Sequence, residues 1–150
     1  MTLCLLDTNV LLRGLDRRHP HCWTVRRALI MLRRQGMEPC LSAQNLVEFW
    51  AVATRPVDAN GLGMSSGWAA DQLARMKRFF LALPENADVQ PEWERLVVQH
   101  NVSGKKVHDA RLVATMNVHH VSHILTFNTG DFARYPGLTA LNPLSMGQSS

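Results

Sequence analysis

The sequence predicts an α/β fold, with helices covering both faces of a parallel sheet. Short apolar runs alternate along the chain with longer stretches of helical periodicity, the pattern of strands joined by crossover helices. The first run, Leu3-Cys4-Leu5-Leu6, ends on the carboxylate of Asp7. In open α/β sheets ligands bind just outside the carboxyl ends of the strands, so an acid there points into a crevice. The chain has 150 residues, 46% of them apolar. That suits one domain that buries roughly 70% of its unfolded surface.

Taken in order, Leu3 to Asp7 is the first expected strand. Asn9 to Leu15 reads as a short helix broken by His19-Pro20. His21 to Gly36 reads as an amphipathic helix, with Val25, Ala28, Leu29 and Leu32 on one face and arginine pairs on the other. Glu38 to Leu41 is a second strand, after which Ser42 caps a helix to about Thr54. The segment from Arg55 to Gly67 carries Pro56, Asn60-Gly61, Gly63 and Gly67, which reads as a long loop or mobile flap. Trp68 to Leu83 is the next expected helix, stopped by Pro84. A third strand is expected at Asp88-Val89, a helix from Pro91 to His100, and another from His108 to His119. Ser122 to Phe127 is the fourth strand and Leu138 to Leu141 a short edge strand. One domain is therefore expected over 1–141, followed by a polar tail over 142–150 that frays.

Composition narrows the function. Cys4, Cys22 and Cys40 are odd in number and widely spaced, which argues against a disulfide framework or a cysteine zinc site. No apolar stretch approaches the ~20 residues of a membrane span. The first apolar run has no basic region ahead of it and is cut short by Asp7, so no signal peptide and a cytoplasmic location are expected. The net charge is +4, unevenly spread: Met1 to Gly36 holds Arg13, Arg17, Arg18, Arg26, Arg27, Arg33 and Arg34 against only Asp7 and Asp16. Such a flank is either a solvated helix face or a phosphate-binding surface.

Three further acids sit in unusual surroundings. Glu48 is the only charge between Glu38 and Arg55, on the narrow polar edge of an apolar helix. Asp109 opens the apolar helix that begins at His108, and Asp131 follows the fourth strand. Each has an ordinary explanation: helix capping for Asp7, solvation for Glu48, the helix dipole for Asp109 and a turn for Asp131. The proposed topology, however, can carry all four to one end of the sheet. Two unit charges ~4 Å apart repel by ~4 kcal/mol at an effective dielectric of 20. A hard divalent cation is the natural counter-charge. Such a site serves phosphodiester cleavage through an activated water.

Four motifs in order, Leu5-Leu6-Asp7-Thr8-Asn9, Asn45-Leu46-Val47-Glu48-Phe49, His108-Asp109-Ala110 and Leu125 to Phe132, resemble the PIN domain family. More narrowly they resemble the toxin ribonucleases of VapBC-type toxin–antitoxin pairs, over nearly the whole chain. The resemblance implies a three-layer α/β/α fold around four or five parallel strands and hydrolysis of RNA. It implies an Mg2+ or Mn2+ site built on Asp7, Glu48, Asp109 and Asp131, supported by Asn9, Thr126 and Asn128. The fourth acid departs from the family pattern, since Asn128 stands where relatives often carry Asp; either Asp131 or Asn128 completes the site, with one ion or two. Arg13, Arg17 and Arg18 are the expected RNA-binding residues. The implied partners are an RNA substrate, a small cognate antitoxin that brings an Arg or Lys to the acids, and a second copy in a homodimer; no membrane is involved.

The principal alternative is a non-catalytic RNA- or protein-binding module of the same fold. A phosphotransferase with an aspartate nucleophile fits poorly, because Asn9 stands where a second acid is usual. A zinc site at His119, His120 and His123 lacks a continuous helix to hold it. Trp23, Trp50, Trp68 and Trp93 are expected to pack in the core.

Overall fold

The computed structural model describes residues 1–146. Its strands are β1 (Thr2–Leu6), β2 (Met37–Leu41), β3 (Leu81–Ala82), β4 (His123–Leu125) and β5 (Thr139–Leu141). They form one parallel sheet in the order β3-β2-β1-β4-β5. Leu5 lies opposite Cys40 on one side and Ile124 on the other. Among the described residues six helices join the strands: α1 (Thr8–Leu15), α2 (Cys22–Arg34), α3 (Ala43–Thr54), α4 (Ser66–Phe79), α5 (Val89–Gln99) and α6 (Lys106–Val118). This is a three-layer α/β/α arrangement.

Strand alternation explains the layers, because successive side chains point to opposite faces. Cys4, Leu6, Leu41 and Leu125 pack under α1 to α4, against Val10, Val25, Leu32, Phe49 and Met76. Leu5, Cys40 and Ile124 pack under α5 and α6, against Leu96, Ala110, Val113 and Ala114. All three cysteines are free and buried. Burial pushes the Cys4 and Cys40 thiols up to about 12, so both behave as small apolar groups.

The sheet order has one reversal. From β1 the chain builds outward through β2 and β3, then returns to add β4 and β5 on the other side. Asp7 follows β1 directly and therefore stands at this switch point, where α/β sheets open a crevice.

Several expectations need correction. The third strand is Leu81–Ala82, paired with Cys40–Leu41, and Val89 instead begins α5. The two-residue strand continues the apolar rhythm of α4, which is why the sequence alone predicts a helix running on to Leu83. The segment after α3 is no free flap. Leu62 and Met64 donate backbone N–H groups to the carbonyls of Val52 and Ala53. A Cβ on Gly61 would collide with the Arg55 carbonyl, so the loop lies tight against the end of α3. Trp50, Trp68 and Trp93 pack against the two cores, but Trp23 is 70% exposed on α2. Asn142–Met146 is held to the body of the chain: the Asn142 side chain donates to the Phe127 carbonyl, Pro143 is buried and Met146 packs on the core. The rest of the expected tail, 147–150, lies outside the described residues. No helix among the described residues is long and apolar enough to cross a membrane.

Gly14 sets how closely α1 and α2 approach. A Cβ there would lie 2.6 Å from Val25 Cγ1, and β-branched Val25 has little rotamer freedom to yield. Gly14→Ala is expected to destabilise the chain by about 1–3 kcal/mol, read as a lower urea midpoint with an unchanged slope.

Candidate active site

The site grows from Asp7. Its backbone N–H donates to the Leu125 carbonyl at 3.0 Å, extending the β1–β4 ladder by one residue. Its carbonyl accepts from Val10 and Leu11, starting α1. The carboxylate, nine-tenths buried, accepts from the Thr8 N–H at 2.7 Å through Oδ1 and from the Thr126 hydroxyl at 2.8 Å through Oδ2. Asn9 Nδ2 lies 3.5 Å from the same Oδ2. The capping role and the crevice position are thus one geometry rather than competing explanations.

Glu48 is joined to this centre by hydroxyl and amide contacts. The Thr8 hydroxyl donates to Glu48 Oε1 at 3.2 Å and accepts from Asn45 Nδ2 at 3.3 Å. Asn45 is fully buried, and its Oδ1 accepts from both the backbone N–H and the hydroxyl of Ser42. Ser42 Oγ in turn accepts from the Asn45 N–H, completing a capping box at the start of α3. The cap that orients α3 therefore also sets the distance from Glu48 to Asp7.

Asp109 lies in the first turn of α6. Gln44 fastens this helix to α3: its Nε2 donates to the His108 carbonyl at 2.8 Å, and its Oε1 accepts from Arg111 Nη1 at 3.4 Å. Asp131, in the 3₁₀ turn Thr129–Phe132, accepts from Lys106 Nζ of α6.

The electrostatics reveal the convergence. Burial, opposed by hydrogen bonds from Thr126 and Thr8 and reinforced by the charge of Asp131, raises the Asp7 pKa. Burial and the nearby Asp7 raise that of Glu48, while His108 opposes the shift. Burial first, then the charges of Asp7 and Asp131, hold Asp109 up at about 6, against an ordinary 3.8; Lys106 offsets part of this. Four acids far apart in sequence thus share one field. They do not share one point: among the described residues, no group of three or more His, Cys, Asp and Glu side chains is arranged to hold a metal ion. The four acids offer oxygen donors, which suits a hard cation, while the imidazole of His108 enters the field of Glu48. Mg2+ keeps several waters and needs only one or two carboxylates, so an open acidic set of this kind fits a hydrated ion.

The profile of the PIN domain matches residues 4–138. The chain belongs to the PIN domain family. Solved structures repeat the fold over nearly its whole length. VapBC2 from Rickettsia felis, bound to a promoter DNA fragment, is 14% identical with a TM-score of 0.69, covering 94% of this chain and 98% of that one. A toxin–antitoxin complex from Klebsiella pneumoniae is 23% identical with a TM-score of 0.60, covering 93% and 97%. VapC20 from Mycobacterium tuberculosis, a toxin that cleaves the sarcin-ricin loop, is 16% identical with a TM-score of 0.64, covering 89% and 95%. A search of curated protein sequences finds no match.

In this PIN domain the remaining sequence candidates fall as follows. Thr126 is fully buried, touches Asp7, and also accepts from the Asn128 N–H at 3.0 Å. Asn128 is exposed and meets Thr126 through its backbone. Asn9 Oδ1 accepts from the Phe127 N–H at 3.4 Å, tying α1 to the end of β4. Arg13 lies over the Phe127 ring, 4.3 Å from its centroid, and Arg18 pairs with Asp16 at 3.1 Å; Arg17 is exposed. The histidines considered for zinc are engaged separately, His119 with the Pro84 carbonyl and His123 with Ser122. The residues that sequence reasoning missed are Thr8, Ser42, Gln44 and Lys106. Of these, only Ser42 carried a local signal, as a helix cap.

Thr126→Val keeps the shape of the side chain but removes a donor to Asp7. A ten- to hundred-fold fall in nuclease activity is expected, as for other groups that orient a carboxylate at a site, with little change in fold. Cleavage rates of the variant beside the wild-type protein check this.

Proposed function

We propose that this PIN domain is a metal-dependent endoribonuclease and the toxin of a toxin–antitoxin pair. The observation that carries the reading is buried Asp7 at the switch point of the sheet, hydrogen-bonded on both oxygens, with Glu48 and Asp109 in its field. Asp7, Glu48 and Asp109 would hold Mg2+ or Mn2+ with its waters. A cation bound there supplies an activated water and offsets the charge of the attacked phosphate. Lys106 already matches the charge of Asp131, which leaves three free carboxylates and favours a single ion. Asn9 and Thr126 keep Asp7 fixed, so its carboxylate need not reorganise when substrate arrives.

The arginine-rich amino-terminal part supports an RNA substrate, and binding then weakens with added salt. The solved toxin–antitoxin complexes support an antitoxin partner, which would place an Arg or Lys against the acids. A cleft of about 580 Å3 between α1, α2 and α4 offers that partner an apolar seat. Arg26, Arg33, Arg34 and Arg75 edge it, matching an amphipathic segment with an acidic flank. A homodimer belongs to the same reading.

Incubation of the purified chain with total RNA, with and without Mg2+, beside Asp109→Asn tests the proposal. Cleavage is expected only for the wild-type chain with the ion. Intact RNA, together with no uptake of Mn2+ in calorimetry, would favour a non-catalytic binding module instead.

A further inference from the structure

Three rings and a guanidinium stand in a row beside the acids. Arg13 lies over Phe127, 4.3 Å from its centroid. The His21 ring is 5.5 Å from Phe127, inclined at 31°, and the His19 ring is 5.6 Å from His21, inclined at 38°. These separations suit offset aromatic packing. Phe127 is one residue past Thr126, and its N–H is held by Asn9, so the row starts at residues that contact Asp7 and runs outward.

The outer end is built rather than draped. Asp16 is buried and accepts from the backbone N–H of Arg18 at 3.0 Å, and the His19 N–H donates to the Asp16 carbonyl at 3.0 Å. His19 Nδ1 accepts from the His21 N–H at 3.0 Å, which fixes the ring and makes it neutral at that nitrogen. Partial burial, then Arg13 and His21, lower the His19 pKa, which agrees with a neutral ring. His19, His21 and Phe127 are each partly buried, and Arg17 and Arg18 stand exposed beside them. Fixed, partly exposed rings flanked by exposed cations, Arg18 keeping 67% of its side chain in solvent while it pairs with Asp16, are the elements of single-strand binding: bases stack on rings while cations follow the phosphates. Arg13, engaged with Phe127, stiffens the row.

We propose that His19, His21 and Phe127 form a base-stacking shelf that receives the single-stranded RNA flanking the cleaved bond, with Arg17 and Arg18 on its phosphates. The shelf rests on the ribonuclease reading and deepens it. It requires the bases seated on it to be unpaired, because a base within a duplex offers no free face.

The test separates stacking from phosphate contact. A fluorescent single-stranded RNA is titrated with the wild-type chain in EDTA, beside the same strand with abasic riboses at its centre. Anisotropy is expected to show about tenfold weaker binding of the abasic strand. His19→Ala and His21→Ala weaken the base-bearing strand by about the same factor and leave the abasic strand unchanged, so the ratio collapses. His21→Phe restores it. His21 makes no side-chain cap to α2, so truncation leaves that helix intact, which circular dichroism checks. An unchanged ratio in the alanine variants, or no discrimination by the wild-type chain, overturns the shelf. If total RNA is still cleaved with Mg2+, the ribonuclease reading survives that result. A wild-type chain that binds neither strand overturns the shelf, and the ribonuclease reading with it only if total RNA also stays intact in Mg2+.

Discussion

Asp7→Asn is expected to lower RNA cleavage on the order of a thousand-fold or more while raising the chain's resistance to urea. Two effects of one carboxylate separate in this variant. Asn is as good an N-cap as Asp, and its amide oxygen can keep the bond from the Thr8 N–H that starts α1. Its amide nitrogen can face the Thr126 hydroxyl, which accepts as readily as it donates. Fold and packing are therefore retained. The charge is lost, and in the metal-free chain that charge is a burden. Burial raises the Asp7 pKa, so at neutral pH the fold stabilises an ion it disfavours. Removing the charge relieves that strain and the repulsion on Glu48 and Asp109. In the proposed reaction the same charge attracts the ion. Urea melts in EDTA, paired with cleavage gels in Mg2+, measure both sides. Full cleavage by the pure variant, or a clearly lower urea midpoint, would show that Asp7 is a cap and nothing more.

Such opposition between stability and activity is common where a site holds like charges together. It also explains which parts of this protein were readable from sequence. β1, β2, β4 and β5 were legible because their apolar runs are bounded by breakers. β3 was not, because two residues carry no period of their own, and only the hydrogen bonds to Leu41 make them a strand. The acids drew notice because each ends, opens or interrupts an otherwise apolar stretch of the sequence. The groups that make them tolerable were hidden. Thr8 and Gln44 act through contacts 37 to 67 residues apart in sequence. Lys106 meets Asp131 across 25 residues, and only the fold shows that the fourth acid is already paired. Trp23 misled for the opposite reason: helical spacing placed it in a helix correctly, but not on a face.

Asp109 governs the second large effect. At limiting Mg2+, RNA cleavage is expected to rise with pH through the acid range and to level off once Asp109, held at about 6 in the metal-free chain, is ionised, and saturating Mg2+ moves the rise to lower pH. The metal-free chain moves the opposite way. The folded pKa, about 6, lies above the ordinary 3.8, so between these values the folded state carries more protons than the unfolded state. Stability therefore falls as pH rises through that interval, is unaffected below it, and bears the full penalty above it. Asp7 and Glu48, also raised, add to the same trend. Glu92, lowered chiefly by Arg95, opposes it, so the clean quantity is the difference between wild type and Asp109→Asn. In EDTA the melting temperature of wild type should drop relative to that variant as pH goes from 4 to 6.5. Mg2+ should reverse the drop, since an ion that binds the ionised acids stabilises only the folded chain and does so most where they are deprotonated. A wild-type curve parallel to the variant at every pH, with and without Mg2+, would mean that Asp109 stands clear of its neighbours' field and holds no ion.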